Sequence, residues 1–270
     1  MGMNLKLNAE EYGPEIFSTP MPGPVSIMGV NVIPFESYEQ AVACVAERIK
    51  AKKKSFCVAI NPEKIYRAGM NEELKTVLER ADIGICDGVG VSIAARVLYG
   101  QRVSRCTGID FFYRLIERAS NVGWKIFLLG ASPQVSETAC IKLQQQYPML
   151  QIVGRQHGYF NDSAAVIEQI NHSGADMLFV AMGSPRQEFW IAENQKAIDP
   201  YFCMGVGGTL DVVSGNTKRA PYLFRRTGTE FLYRLISDPK RWRRQSVLPL
   251  FMFSVLRKKI NAQIRMNAQA

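Results

Sequence analysis

The stretch KIFLLGASPQVSETACIKLQQQYPMLQIV, Lys125–Val153, decides the fold class. Lys125–Leu129 is an apolar run of strand length, and Gly130-Ala131-Ser132-Pro133 is a tight turn. Val135–Gln146 then repeats its apolar residues at helical spacing, and Gln151–Val153 opens another apolar run. Strand, helix and strand in that order form a crossover unit, with two parallel strands and a helix on one face of their sheet.

The same alternation recurs on both sides. Strands are predicted at Ser26–Pro34, Phe56–Asn61, Ile83–Asp87, Met177–Met182 and Phe202–Val206, with amphipathic stretches at Tyr38–Lys52, Leu74–Ala81, Phe111–Ser120 and Ala164–His172. The expected fold is α/β, a Rossmann-like, mostly parallel sheet covered by helices. After Gly208 the strand pattern stops, and a helical, basic region follows in which Pro221 and Pro239 act as breaks. The reading divides the chain into a flexible leader over 1–23, an α/β catalytic domain over 24–215 and a basic C-terminal appendage over 216–270.

A chain of 270 residues that is 47% hydrophobic and 21% charged can bury a sizeable core, which excludes the disordered and fibrous classes. Its net charge of +9 is uneven. From Lys218 onward 13 Lys and Arg face only Glu230 and Asp238, so this region carries +11 and the remainder −2. The basicity is a local signal for an anionic partner. Six cysteines without a C-x-x-C pair read as packed, reduced thiols and favour the cytoplasm. The first residues, MGMNLKLNAEEYGPEIFSTPMPGP, lack the apolar core of a signal peptide, and Lys6 argues against a myristoylation site. No run approaches the ~20 apolar residues needed to span a bilayer.

In open α/β sheets ligands bind beyond the carboxyl ends of the strands. The residues there are Asn61-Pro62-Glu63, Asp87-Gly88-Val89-Gly90, Gly130-Ala131-Ser132-Pro133, His157-Gly158-Tyr159-Phe160, Gly183-Ser184-Pro185-Arg186-Gln187-Glu188 and Gly205-Val206-Gly207-Gly208. Four of these loops put Gly or Ser just before a helix, where free backbone N–H groups and the helix dipole suit a phosphate or diphosphate. Taken singly, each Gly equally serves a tight turn. Gly130, Ser132, Tyr159, Gly183, Gly207 and Gly208 are thus candidate substrate-binding positions. No Walker A sequence occurs, and Gly205-Val206-Gly207-Gly208 lacks the third glycine of a dinucleotide fingerprint, which disfavours a nicotinamide-dependent oxidoreductase.

Asp87 follows an apolar strand and precedes Gly-Val-Gly, a place where partial burial would raise its pKa toward a general base's range; a turn and cap role is equally available. Asn61 could orient a hydroxyl or serve the turn before Pro62. Arg105 offers a fork for a diphosphate or is a solvated charge. Gln187 could bond substrate or occupy a first helical turn, and Asp211 could hold a ribose diol or complement a helix dipole. His157 and His172 have no partners at metal-ligand spacing, and neither a D-x-D nor a G-x-S-x-G sequence is present. No metal site and no cofactor are expected. Catalysis without a metal needs its leaving-group charge neutralised by Arg, Lys and helix N-termini. In the tail, VLPLFMFSVL lies between Arg241-Trp-Arg243-Arg244 and Arg257-Lys258-Lys259. That pattern suits an anionic membrane surface, with a core-packed helix and a nucleic-acid-binding tail as competing readings.

Eight strings, in order, carry a resemblance that covers roughly Ser26–Gln245: INPEK, ADIGICDGVGV, SRCTGID, FLLGASP, GRQHGYF, VAMGSPRQE, MGVGGTLDVVSG and KRAPYLFRRTGTEFLYRLISDPKRWRRQ. With these the chain resembles the bacterial WecG/TagA/CpsF glycosyltransferase family. The resemblance implies transfer of an N-acetylmannosamine-type sugar, N-acetylmannosaminuronate or N-acetylmannosamine, from UDP to N-acetylglucosaminyl-diphospho-undecaprenol. It further implies inversion, no metal, and a peripheral position on the inner face of the cytoplasmic membrane. Asp87 falls on the family's proposed general base; Asn61, Arg105 and Gln187 fall on other active-site positions, and Asp211 on a nucleotide-contacting acid. Arg234, Arg241 and Arg244 fall on arginines thought to reach a diphosphate when the appendage closes. Ala59 stands where many members have Thr, which tilts the expectation toward the uronate donor.

UDP-glucose-using members engaged in exopolysaccharide assembly fit the same strings. A nucleic-acid-binding protein using the basic tail is the alternative from a different class, disfavoured by the aliphatic and aromatic run inside that tail; nucleic acid is not an expected partner. A homo-oligomer is compatible with the sequence.

Overall fold

Six of the apolar runs pair into one parallel sheet in a computed structural model that describes residues 21–237, 242 and 246–267. The strands are β3 (Ser55–Ile60), β4 (Ile83–Cys86), β5 (Lys125–Gly130), β6 (Gln151–Gln156), β7 (Met177–Ala181) and β8 (Phe202–Gly205), arranged β4-β3-β8-β7-β5-β6. Every residue of β3, β4, β7 and β8 is buried. A sheet covered on both faces demands such unbroken apolar strands, whereas β6, at the edge, is partly exposed.

Helices α1 (Tyr38–Lys50), α2 (Pro62–Ala68), α3 (Glu72–Glu79), α4 (Val89–Tyr99), α5 (Gly108–Val122), α6 (Pro133–Gln146), α7 (Ser163–His172), α8 (Arg186–Asn194) and α9 (Thr209–Ser214) cover the sheet. Six of these helices start at a side-chain cap: Ser37, Asn61, Asn71, Thr107, Ser132 and Asp162 each accept a hydrogen bond from a first-turn amide.

The first expected strand, Ser26–Pro34, is instead an antiparallel hairpin of β1 (Val25–Ile27) and β2 (Val30–Val32), outside the parallel sheet. Met28 and Gly29 at φ 53° and 91° make the two-residue turn whose twist matches a hairpin. The hairpin leads onto β4, where the Ile33 amide donates to the Gly84 carbonyl at 2.8 Å.

Beyond the sheet lie α10 (Tyr222–Thr227), α11 (Glu230–Ser237) and α12 (Val247–Asn267). α12 folds back onto α2 and α4, and Phe251 and Val255 are fully buried in the same core as Val25, Ile65 and Val91. Two residues of the appendage's apolar run, Phe251 and Val255, are therefore core. On the other side of α12, Leu250, Phe253, Leu256, Ile260 and Ile264 face solvent. No helix among the described residues is long and apolar enough to cross a membrane.

Candidate active site

The pairing of β3 with β4 sets the site. Ile60 lies opposite Cys86, so Asn61 and Asp87, the next residues, emerge side by side, and the Asp87 amide donates to the Ile60 carbonyl at 2.8 Å. Asn61 Oδ1 accepts from the Lys64 amide at 2.9 Å and thereby caps α2. Asn61 thus serves the turn before Pro62 as a helix cap, beside the Asp87 loop. Asp87 Oδ1 accepts from the Gly108 amide at 3.3 Å, at the start of α5. A strand-end carboxylate is thus held by a helix N-terminus.

Arg105 reaches the same edge because the Cys106 amide donates to the Cys86 carbonyl at 2.8 Å. Its guanidinium donates to the carbonyl of Arg225 in α10, which ties the appendage to the site. Next to it Arg219 pairs with Asp110 in the first turn of α5. Burial opposes ionisation of Asp110, but hydrogen bonds from Arg219 and Thr107 and the charges of Arg219 and Arg225 hold its carboxyl below the usual range. The Nε groups of Arg219 and Arg225 are buried without an acceptor. Burial pushes the Tyr38 phenol up to about 12, and this neutral hydroxyl accepts from the Thr107 amide at 2.9 Å. Arg219, Arg225 and Asp110 were not singled out from the sequence. Asp110 ends the SRCTGID string, and Arg219 and Arg225 lie in the basic string after Lys218, but neither string reveals that the two fold together.

The loops after β7 and β8 adjoin this corner, since β8 lies between β3 and β7. Gln187 is only 2% exposed, with both ends of its amide in use. Its Oε1 accepts from the Gly207 amide at 2.9 Å, and its Nε2 donates to Glu188 Oε1 at 2.9 Å. It lies so close to Gly205 that a Cβ there would sit 2.5 Å from Nε2. Glu188 in turn pairs with Lys64 at 2.8 Å. Gly183 and Gly207, at φ 77° and 52°, have open space where a side chain would project. Gly208 begins α9, and Asp211 in its first turn accepts from Asn216 Nδ2 at 3.1 Å.

Gly130, Ser132 and Tyr159 lie on the far side, after β5 and β6, with β8 and β7 between them and Asn61. Gly130 at φ 121° packs on Ala181, Ser132 caps α6, and Tyr159 is 72% exposed. An open hollow of about 430 Å³, walled by Phe160, Pro185, Phe189 and Trp190, borders that half. The backbone of Arg234 lies in α11, its side chain outside the described residues, as are Arg241 and Arg244. No three His, Cys, Asp or Glu side chains gather at metal-binding distance among the described residues.

This arrangement can take a proton from a hydroxyl at Asp87 and spread negative charge over Arg105, Arg219 and Arg225. The sequence profile of the Glycosyl transferase WecG/TagA/CpsF family matches residues 25–265. Over 205 residues the chain is 36% identical to an N-acetylglucosaminyldiphosphoundecaprenol N-acetyl-beta-D-mannosaminyltransferase of Bacillus spizizenii, covering 76% of this chain and 80% of that protein.

Proposed function

The chain belongs to the WecG/TagA/CpsF glycosyltransferase family, and we propose that it moves an N-acetylmannosamine-type sugar, N-acetylmannosaminuronate or N-acetylmannosamine, from UDP to N-acetylglucosaminyl-diphospho-undecaprenol. The transfer inverts the anomeric centre, needs no metal ion, and serves cell-surface polysaccharide assembly. The activity of the Bacillus relative supports the acceptor and the mannosamine-type sugar.

The observation that carries the reading is the Asp87 carboxylate, beside Asn61 and fixed by the Gly108 amide, with Arg105 on the adjoining segment. As the acceptor hydroxyl oxygen attacks the anomeric carbon, its proton passes to Asp87. The bond from that carbon to the UDP oxygen breaks on the opposite face. The charge that develops on the departing diphosphate is met by Arg105, Arg219 and Arg225, whose positive charge replaces what a divalent ion would supply. The exposed stripe of Phe253, Leu256, Ile260 and Ile264 on α12, next to Arg257 and Lys258, supports docking on the anionic inner face of the cytoplasmic membrane, where a polyprenyl acceptor resides.

The test is Asp87→Asn, assayed for transfer from UDP-N-acetylmannosamine to a short-chain N-acetylglucosaminyl-diphospholipid and for the UDP-induced rise in melting temperature. Transfer is expected to fall by roughly 10²–10⁴ while the UDP effect persists. Turnover at the wild-type rate refutes Asp87 as base, and a wild-type protein that UDP does not stabilise refutes the donor.

A further inference from the structure

We infer that the buried Lys64–Glu188 ion pair is a positioning device that fixes the Gln187 amide and, through it, the Gly207–Gly208 loop of the donor site. The inference rests on the donor reading above. Glu188 exposes none of its side chain and Lys64 only 7%, and their charged atoms are 2.8 Å apart. Buried pairs of this kind contribute little net stability, because apolar residues of similar volume often replace them at no cost. Its value must lie in what else the two groups hold.

Each charge makes a further hydrogen bond at a different strand end, while Glu188 Oε2 is buried without a hydrogen-bond partner. Lys64 Nζ also donates to the carbonyl of Ala59, two residues before Asn61, at 2.8 Å. Glu188 Oε1 also accepts from Gln187 Nε2, and Gln187 Oε1 accepts from the Gly207 amide, both at 2.9 Å. The chain of bonds runs from the end of β3 through the loop after β7 to the loop after β8. Those are three consecutive strands of the sheet, with β8 in the middle.

The chemistry makes the chain directional. An ionised carboxylate only accepts, so the amide NH₂ of Gln187 must face Glu188 and its carbonyl must face the Gly207 N–H. A neutral group at position 188 would let the amide take either orientation and release Gly207. Lys64 keeps the carboxylate ionised: burial disfavours the charge, yet Lys64, Gln187 and Ser184 together hold Glu188 below the ordinary carboxylate range. The absence of a side chain at Gly205 completes the seat, because the amide occupies that space. Lys64 and Glu188 touch no reacting atom in this scheme, and they act through Gln187.

The experiment uses the full chain. Lys64→Met/Glu188→Gln removes both charges without leaving one unpaired, and Gln187→Leu removes only the amide and leaves the ion pair intact. Amide hydrogen exchange read by NMR is expected to speed up at Gly207 by about tenfold or more in both variants, the scale of one lost hydrogen bond, with Cys203 and Met204 still protected. The KM for UDP-sugar is expected to rise about tenfold and the acceptor KM to stay unchanged. Wild-type exchange at Gly207 in either folded variant overturns the positioning role, as does an unchanged donor KM alongside normal UDP-sugar turnover. Faster exchange at Gly207 in a protein whose wild type has no affinity for UDP overturns the donor reading alone. If the double variant fails to fold, Gln187→Leu decides.

Discussion

Replacing Gly130 by alanine adds one methyl at the end of β5 and separates two reasons for a glycine. The first is conformational, because φ is 121°, a region that L residues rarely enter. The second is steric: the new Cβ would lie 2.4 Å from the Ala181 carbonyl oxygen, 2.5 Å from its carbon and 2.8 Å from its Cα. All three are backbone atoms of β7, which is bonded to β5 on one side and β8 on the other and has nowhere to retreat. Strain of about 1–3 kcal/mol and overpacking of about 1–3 kcal/mol, less roughly 0.4–1 kcal/mol regained from the unfolded chain, give a loss of about 1–6 kcal/mol, centred near about 3 kcal/mol. For a chain of this size the melting temperature should fall by about 5–15 °C. Gly100→Ala is the control, since Gly100 has φ 69° and open space around it, so only the left-handed conformation costs, about 1–2 kcal/mol. Urea unfolding of both variants gives the comparison. A Gly130→Ala loss no larger than that of Gly100→Ala refutes the packing argument.

Phe251→Ala should cost about 3–5 kcal/mol by urea unfolding, because the ring is fully buried under α12, whereas Phe253→Ala, on the solvent side, should stay within about 0.5 kcal/mol. Phe253→Asp/Ile260→Asp should lower binding to anionic vesicles by more than about tenfold in co-sedimentation and leave the melting temperature unchanged. Glu188 and Asp110 both have carboxyl pKa values lowered in the folded state, so the stability they add is complete above the unfolded value of about 4 and is lost as pH falls through it toward the folded values. The urea midpoint should therefore be level from about pH 8 to 6 and drop below about pH 5, less steeply in Lys64→Met/Glu188→Gln.

The parallel sheet was legible because strands covered on both faces must be unbroken apolar runs, as Phe56–Ile60 and Met177–Ala181 are. The β1–β2 hairpin was not, since Met28-Gly29 interrupts the apolar stretch without a polar residue to mark the turn. Helices α2, α4 and α8 start directly at strand-end loops, so their first residues read as loop chemistry. Asn61 and Asp87 could be named from their places after strands, and β3–β4 pairing set them side by side. Lys64–Glu188, Arg219–Asp110 and Arg105–Arg225 could not, because each joins residues far apart in the chain whose types alone suggest solvated charges. The charge of the appendage points to a separate module and says nothing of how it packs. Two apolar side chains at helical spacing, Phe251 and Val255, are what make it part of the core.

That shared core also sets a schedule for synthesis. Val25 and Ile27, made early, and Phe251 and Val255, made more than two hundred residues later, pack into the same cluster. At about 5–20 residues per second a ribosome takes at least ten seconds or so between them. During that interval the faces of α2 and α4 that will carry α12 are bare, and both helices begin at the candidate-site loops after Asn61 and Asp87. A nascent chain stalled before Phe251 would present this apolar surface to chaperones and other nascent chains, and the sheet edge bearing Asn61 and Asp87 would rest on two helices still waiting for their cover.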